Sequence, residues 1–305
     1  MSNDTVREYE RARKATWRAR NALWLKIKGA GPSTVAPQQN VPIDTVLDLK
    51  IPVPKHGLKI ALISDAQCMP GVPLDHLGWY GNYVAEKKPD VIICMGDFGD
   101  FPSLSRFGRG ERDFAEHRWA KDLAAFHEGM QLFLGPVEEA KDADTKWKPH
   151  MLFLQGNHES HIDRITQEFP FLEGTIDQGE LCLEEYGWRV FPFMQPVSVG
   201  GVAFCHYFPS GVMGRPITSA TAILRKLHMS AVAGHQQGRE IAYSRRADGG
   251  NLTSIISGSF YQHHVKFLSP FTNAHWRGTF FLHEVKDGQF DEMALSIDFL
   301  KRRYA

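Results

Sequence analysis

The chain has 305 residues, 35 Lys+Arg balanced by 35 Asp+Glu, with 43% apolar and 23% charged side chains. That composition excludes a disordered chain, and no apolar run approaches the roughly 20 residues of a bilayer crossing. The start, Met1-Ser2-Asn3-Asp4, has no signal-peptide pattern, and Cys68, Cys94, Cys182 and Cys205 form no CxxC pair; a reducing, cytoplasmic setting is expected, with no disulfide framework.

The charge balance is uneven along the chain. Residues 1–30 hold eight basic side chains (Arg7, Arg11, Arg13, Lys14, Arg18, Arg20, Lys26 and Lys28) and three acidic ones, leaving 27 basic and 32 acidic for the rest. Asp4 to Lys28 contains no Gly or Pro, so residues 1–28 are expected to form a basic helical arm. Such an arm either lies on nucleic-acid phosphates or packs on its own body or another subunit. Residues 29–57 contain five prolines and read as an extended tether. Residues 58–305 form the folded body.

Within the body, apolar runs at Leu58–Ile63, Val91–Met95, Met151–Leu154, Val202–Cys205 and Ala231–Ala233 predict buried strands. Helices are expected around Leu74–Lys87, Phe114–Leu134, Glu159–Glu168 and Ala220–Leu227. Further strands are expected at Ile241–Ser244, Leu252–Ile256, Thr279–Val285 and Glu292–Ile297. The fold class is therefore α/β or layered α+β.

Five strand ends carry the chemistry. Directly after the apolar runs stand Asp65, Asp97, Asn157 with His158, His206, and His235. Carboxylate, amide and imidazole bind divalent ions through oxygen and nitrogen, and open sheets build sites beyond strand carboxyl ends. One such residue is commonly a turn or a satisfied core group; five in succession point to a metal site. Asp100 precedes Pro102 and reads as a turn or helix start. Glu159 is expected to orient its neighbours. His161, His275 and Arg215 are weaker candidates for substrate contact, and Trp276 and Tyr207 could stack a base or belong to the core.

Ser64-Asp65-Ala66-Gln67, Gly96-Asp97, Gly156-Asn157-His158-Glu159, Cys205-His206 and Gly234-His235-Gln236-Gln237 resemble the calcineurin-like metallophosphoesterases, in order and spacing, from about Leu58 to the C-terminus. The wording around Cys205–Pro216 and Asn273–Gly278 is similar to phage- and prophage-encoded members. The resemblance implies a four-layer αββα sandwich with two divalent ions. One ion would take Asp97, Asn157, His206 and His235. The other would take Asp65, Asp97, Gln67 and Gln237. It further implies hydrolysis of a phosphate ester by metal-activated water, with His158 protonating the leaving group and Asp97 behind it.

The glutamines depart from the family pattern, which has histidine at both positions, and both departures strike the same ion. That site could be lost, or filled by a solvated ion that does not contact both glutamines, or oxygen-rich. The oxygen-rich reading predicts Mn²⁺ or Mg²⁺ there, because an amide oxygen is a harder ligand than imidazole. Mn²⁺, Fe²⁺ or Zn²⁺ would suit the histidine-containing site. The expected substrate is a nucleotide or nucleic acid, in the host cytoplasm if the chain is phage-encoded. A phosphomonoesterase acting on a small molecule or protein, and a catalytically degenerate metal-binding interaction protein, are the alternatives.

Overall fold

In the computed structural model, which describes residues 46–106, 116–265 and 269–305, the β-rich apolar runs become strands. They are β1 (Leu47–Asp48), β2 (Leu58–Ile63), β3 (Val91–Cys94), β4 (His150–Leu154), β5 (Arg189–Phe191), β6 (Val197–Val199) and β7 (Val202–Cys205). A small hairpin of β8 (Pro209–Ser210) and β9 (Arg215–Pro216) follows. Then come β10 (Ala231–Ala233), β11 (Glu240–Arg245), β12 (Asn251–Ile256), β13 (Gly278–Lys286) and β14 (Gln289–Ser296). The helices are α1 (Asp75–Lys87), α2 (Trp119–Ala143), α3 (Asn157–Glu168), α4 (Ala220–Leu227), the short α5 (Pro270–Asn273) and α6 (Ile297–Tyr304). The basic arm expected at residues 1–28 lies outside the described residues.

Two six-stranded mixed sheets result, ordered β14-β13-β2-β3-β4-β5 and β1-β6-β7-β10-β12-β11. In the first, β2 to β5 run parallel while β13 is antiparallel to β2. In the second, β7, β10 and β12 run parallel. Side chains alternate between the faces of a strand, and here the alternation separates two kinds of packing. Ile60, Leu62, Ile93 and Leu152 of the first sheet share one buried core with Val199, Phe204, Val232 and Ile255 of the second. The sheets therefore face each other. On the far side of the second sheet, Ala203, Cys205 and Ala231 pack with Ala220 and Ile223 of α4. On the far side of the first, Tyr83 of α1 meets Phe281 edge-on at 5.7 Å. Full burial of a Leu, Ile or Phe contributes roughly 1.5–3 kcal/mol.

The structure departs from expectation in three places. The tether assigned to residues 29–57 is, over its described part, a piece of the body: Leu47 and Asp48 pair with Val197 and Ser198, and Leu49 is buried in the core. The prolines misdirect because Pro52 and Pro54 follow this strand instead of interrupting it. The second helix runs on to Ala143 through Pro136; a proline removes one helical hydrogen bond, but the buried Phe133, Leu134 and Val137 hold the turns around it. β5, β6, β8, β9, α5 and α6 are elements the sequence does not announce: the first five have two to four residues each, and α6, Ile-Asp-Phe-Leu-Lys-Arg-Arg-Tyr, continues a strand-like run.

Candidate metal centre

The residues that follow β2, β3 and β4 in one sheet meet those that follow β7 and β10 in the other. Their backbones are unusual: Gln67, Asp97 and His235 have φ of 44°, 49° and 64°, a left-handed conformation rare outside glycine and concentrated at functional sites. Glu159 explains how the Asp97 turn is held. Its fully buried carboxylate accepts hydrogen bonds from the backbone N–H groups of Asp97 (2.9 Å), Phe98 (3.0 Å) and Gly99 (3.3 Å). It also accepts from the Gly156 N–H (2.8 Å), closing the first turn of α3. A carboxylate at a helix N-terminus is favoured by the unpaired N–H groups there. Gly156 has to be glycine, since a Cβ would lie 2.1 Å from Asp97 Oδ1.

His206 bears most directly on what the centre could hold. Its Nδ1 donates to the Met95 carbonyl (2.9 Å), so the lone pair of the neutral ring is on Nε2. That atom faces two acceptors, Asn157 Oδ1 at 3.0 Å and Asp97 Oδ2 at 3.3 Å. Three acceptors around one point call for a positive charge between them, a proton or a metal ion. Among the described residues, one set of three His, Cys, Asp or Glu side chains could hold an ion. It is Asp97, His206 and His235, each offering one ligand atom within 4.8 Å of the others. Carboxylate, two imidazoles and the Asn157 amide oxygen fit a divalent ion of borderline hardness.

The charges of the groups follow from this crowding. Burial would lower His206, but Asp97 outweighs it and holds the imidazole at about 9. His235 goes the other way, to about 4, through burial and the neighbouring His206. Asp97 resists burial because His206 and His158 hold its carboxyl well below the usual carboxylate range. Asp65 is pushed up to about 7 by burial, with His206 opposing and Asp97 adding to the rise. Both Asp65 oxygens accept from the His235 N–H, at 3.0 and 3.1 Å.

His158, the second residue of α3, lies beside this set. Its N–H donates to Asp97 Oδ1 (2.9 Å), its Nδ1 donates to the Asp100 carbonyl (2.6 Å), and its Nε2 lies 3.7 Å from Asp97 Oδ2. Burial would lower its pKa, but Asp97 and Asp100 together hold it at about 9. His161 follows one turn later, its ring 5.3 Å from that of His158. The other expected residues are less central. Gln67 is buried and its N–H donates to the Asp97 carbonyl. Gln237 is exposed, and its Oε1 accepts from the hydroxyls of Ser259 and of Tyr261 (2.7 Å). His275 lies 3.4 Å from that Tyr261 hydroxyl. Arg215 is exposed on β9.

The chain is 25% identical over 244 residues to the Gene 54 protein of Mycobacterium phage L5, spanning 76% of this chain and 90% of the relative. It is 23% identical over 235 residues to the Gene 54 protein of Mycobacterium phage D29, spanning 73% and 87%. These relatives are phage-encoded. No family model matches the chain. A solved crystal structure, 12% identical, covers 78% of this chain and 99% of its own with a TM-score of 0.35, a likeness too slight to define the fold.

Two contributions were under-read in the sequence. The turn role expected of Asp100 is not its whole part, since its carbonyl and its Oδ1 (3.3 Å) both face His158 Nδ1. Its three-residue distance from Asp97 was the available signal. Ser259 and Tyr261, which engage Gln237, carried no motif; they come to the site because Ser259 bridges Asp65 and Arg277 in the sheet.

Proposed function

We propose that this chain is a metal-dependent phosphoesterase with the αββα sandwich of the calcineurin-like enzymes. The observation that carries the reading is the convergence of Asp97, Asn157, His206 and His235 around one point, with His158 fixed against Asp97. The two facing sheets with helices outside them and the order of the motifs along the chain support it. Asp97, Asn157, His206 and His235 would hold the ion. The chemistry that a bound divalent ion supplies is charge stabilisation at a phosphoryl oxygen and acidification of an attacking water.

The protein's own part is positioning and proton transfer. The Asp100 carbonyl fixes the proton on His158 Nδ1, so His158 Nε2 is the atom that gives a proton to a leaving alkoxide. Asp97 keeps that imidazole charged until the proton leaves. Glu159 holds the turn that aims Asp97. A phosphodiester of nucleotides or nucleic acid is the proposed substrate class, in the cytoplasm of a phage host, with the basic arm contributing phosphate contacts.

Hydrolysis of bis(p-nitrophenyl) phosphate and of p-nitrophenyl phosphate, with Mn²⁺, Mg²⁺ or Zn²⁺, tests the reading. Metal-dependent turnover that favours the diester is expected. Turnover of the monoester alone would reassign the enzyme as a phosphomonoesterase. No turnover of either with any of the ions would make the chain a metal-binding interaction protein.

A further inference from the structure

The second half of the centre is built differently from the first. Around His206 the oxygens of Asn157 and Asp97 converge on Nε2, so that a proton or an ion has to stand between them. Around Gln237 the opposite holds: its amide oxygen already accepts from the Ser259 and Tyr261 hydroxyls, and an amide oxygen has two lone pairs to give. The network is anchored beyond Gln237 as well. Tyr261 is stacked on His263 at 4.5 Å, lies under the Arg277 guanidinium at 4.8 Å, and has His275 beside its hydroxyl. Ser259 is fixed by its bridges to Asp65 and Arg277. Turning Gln237 onto an ion would leave the Ser259 hydroxyl without this acceptor and the Tyr261 hydroxyl with only the longer contact to His275 Nε2 (3.4 Å). Asp65, for its part, gives both oxygens to the His235 N–H and stands outside the set of three that could hold an ion.

We propose that the centre is mononuclear: one divalent ion at Asp97, Asn157, His206 and His235, with the neutral Gln237–Ser259–Tyr261 network standing where a second ion would lie. It is an alternative to the all-oxygen second site expected from Gln67 and Gln237. It rests on the metal centre of the functional reading but not on turnover.

Metal content decides it. The full chain is equilibrated with Mn²⁺, freed of excess by gel filtration, and measured by elemental analysis and by electron paramagnetic resonance. One ion per chain and the spectrum of isolated Mn²⁺ are expected, and His235→Ala should lower the occupancy at least tenfold. The Gln67→His, Gln237→His double variant should rise towards two ions and show an exchange-coupled pair. Two ions, or a coupled spectrum, in the unaltered chain would overturn the proposal whether or not the double variant folds. One ion without hydrolysis would overturn the functional reading and leave this inference standing; two ions with hydrolysis would do the reverse. Absence of bound Mn²⁺ would overturn both.

Discussion

At the scale of single residues, His158 and His206 are both imidazoles at strand ends, but their neighbours give them opposite tasks. His206 is completely enclosed, with its Nε2 aimed at two oxygens. His158 is partly open, its side chain 23% exposed, and it carries its charge towards the surface. His158→Ala should therefore leave metal content unchanged while lowering kcat about 10²–10⁴-fold, the usual worth of a general acid; substrates with poor leaving groups should suffer most. Equal loss on good and poor leaving groups, or loss of the ion, would remove His158 from that role. The residue types were legible in the sequence because Gly-Asn-His-Glu and the other strand-end motifs name their side chains. The orientation of the Gln237 amide was not, since it is decided by Ser259 and Tyr261, more than twenty positions away in the chain.

At the scale of elements, α3 and the turn after β3 are one unit joined by Glu159. The backbone of Gly156 touches the Asp97 side chain, so the strand-to-helix junction and the Asp97 turn cannot be altered separately. Gly156→Ala should cost more than about 1 kcal/mol of stability, as expected of a side chain forced into a backbone it cannot share. It should also weaken Mn²⁺ binding, because either Asp97 or the junction has to move. Denaturant unfolding and metal titration of the variant check this, and an unchanged midpoint with unchanged affinity would contradict it. Most of the buried strands were legible because their apolar runs end in Gly, Asp or His. β5 and β6 were not, because three residues are too few for a period to appear. β1 was hidden by the prolines on either side of it.

At the scale of the whole molecule, buried neutral histidines couple stability to acidity. His76 Nε2 donates to the Phe260 carbonyl (2.8 Å) and its Nδ1 faces the Gln262 amide (3.2 Å); burial holds its pKa down to about 3. His127, between Tyr186 and the Glu180 carbonyl, is held down to about 4 by burial. An unfolded histidine titrates near 6.5, so on acidification the unfolded chain takes up these protons first. Their contribution is complete above about pH 6.5 and is lost progressively towards pH 3–4, each tenfold change in proton affinity being worth about 1.4 kcal/mol. Thermal melting between pH 7.5 and 4.5 should show a falling Tm, and His127→Gln should flatten part of that fall. An identical slope in the variant would exclude His127. The meeting of the two sheets has a separate consequence. Apolar contact between the sheets has no preferred direction, so the shared core alone would let one layer glide over the other at little cost. Hydrogen bonds are directional, and several cross the gap at the end where the centre lies: His206 to Met95, His235 to Asp65, and Ser64 to the Ser257 carbonyl (3.0 Å), while the Gly288 N–H donates to the Gly200 carbonyl (2.9 Å) at the opposite end. The sliding of the layers and the spacing of the ligands are thus a single degree of freedom, and whatever fixes one fixes the other.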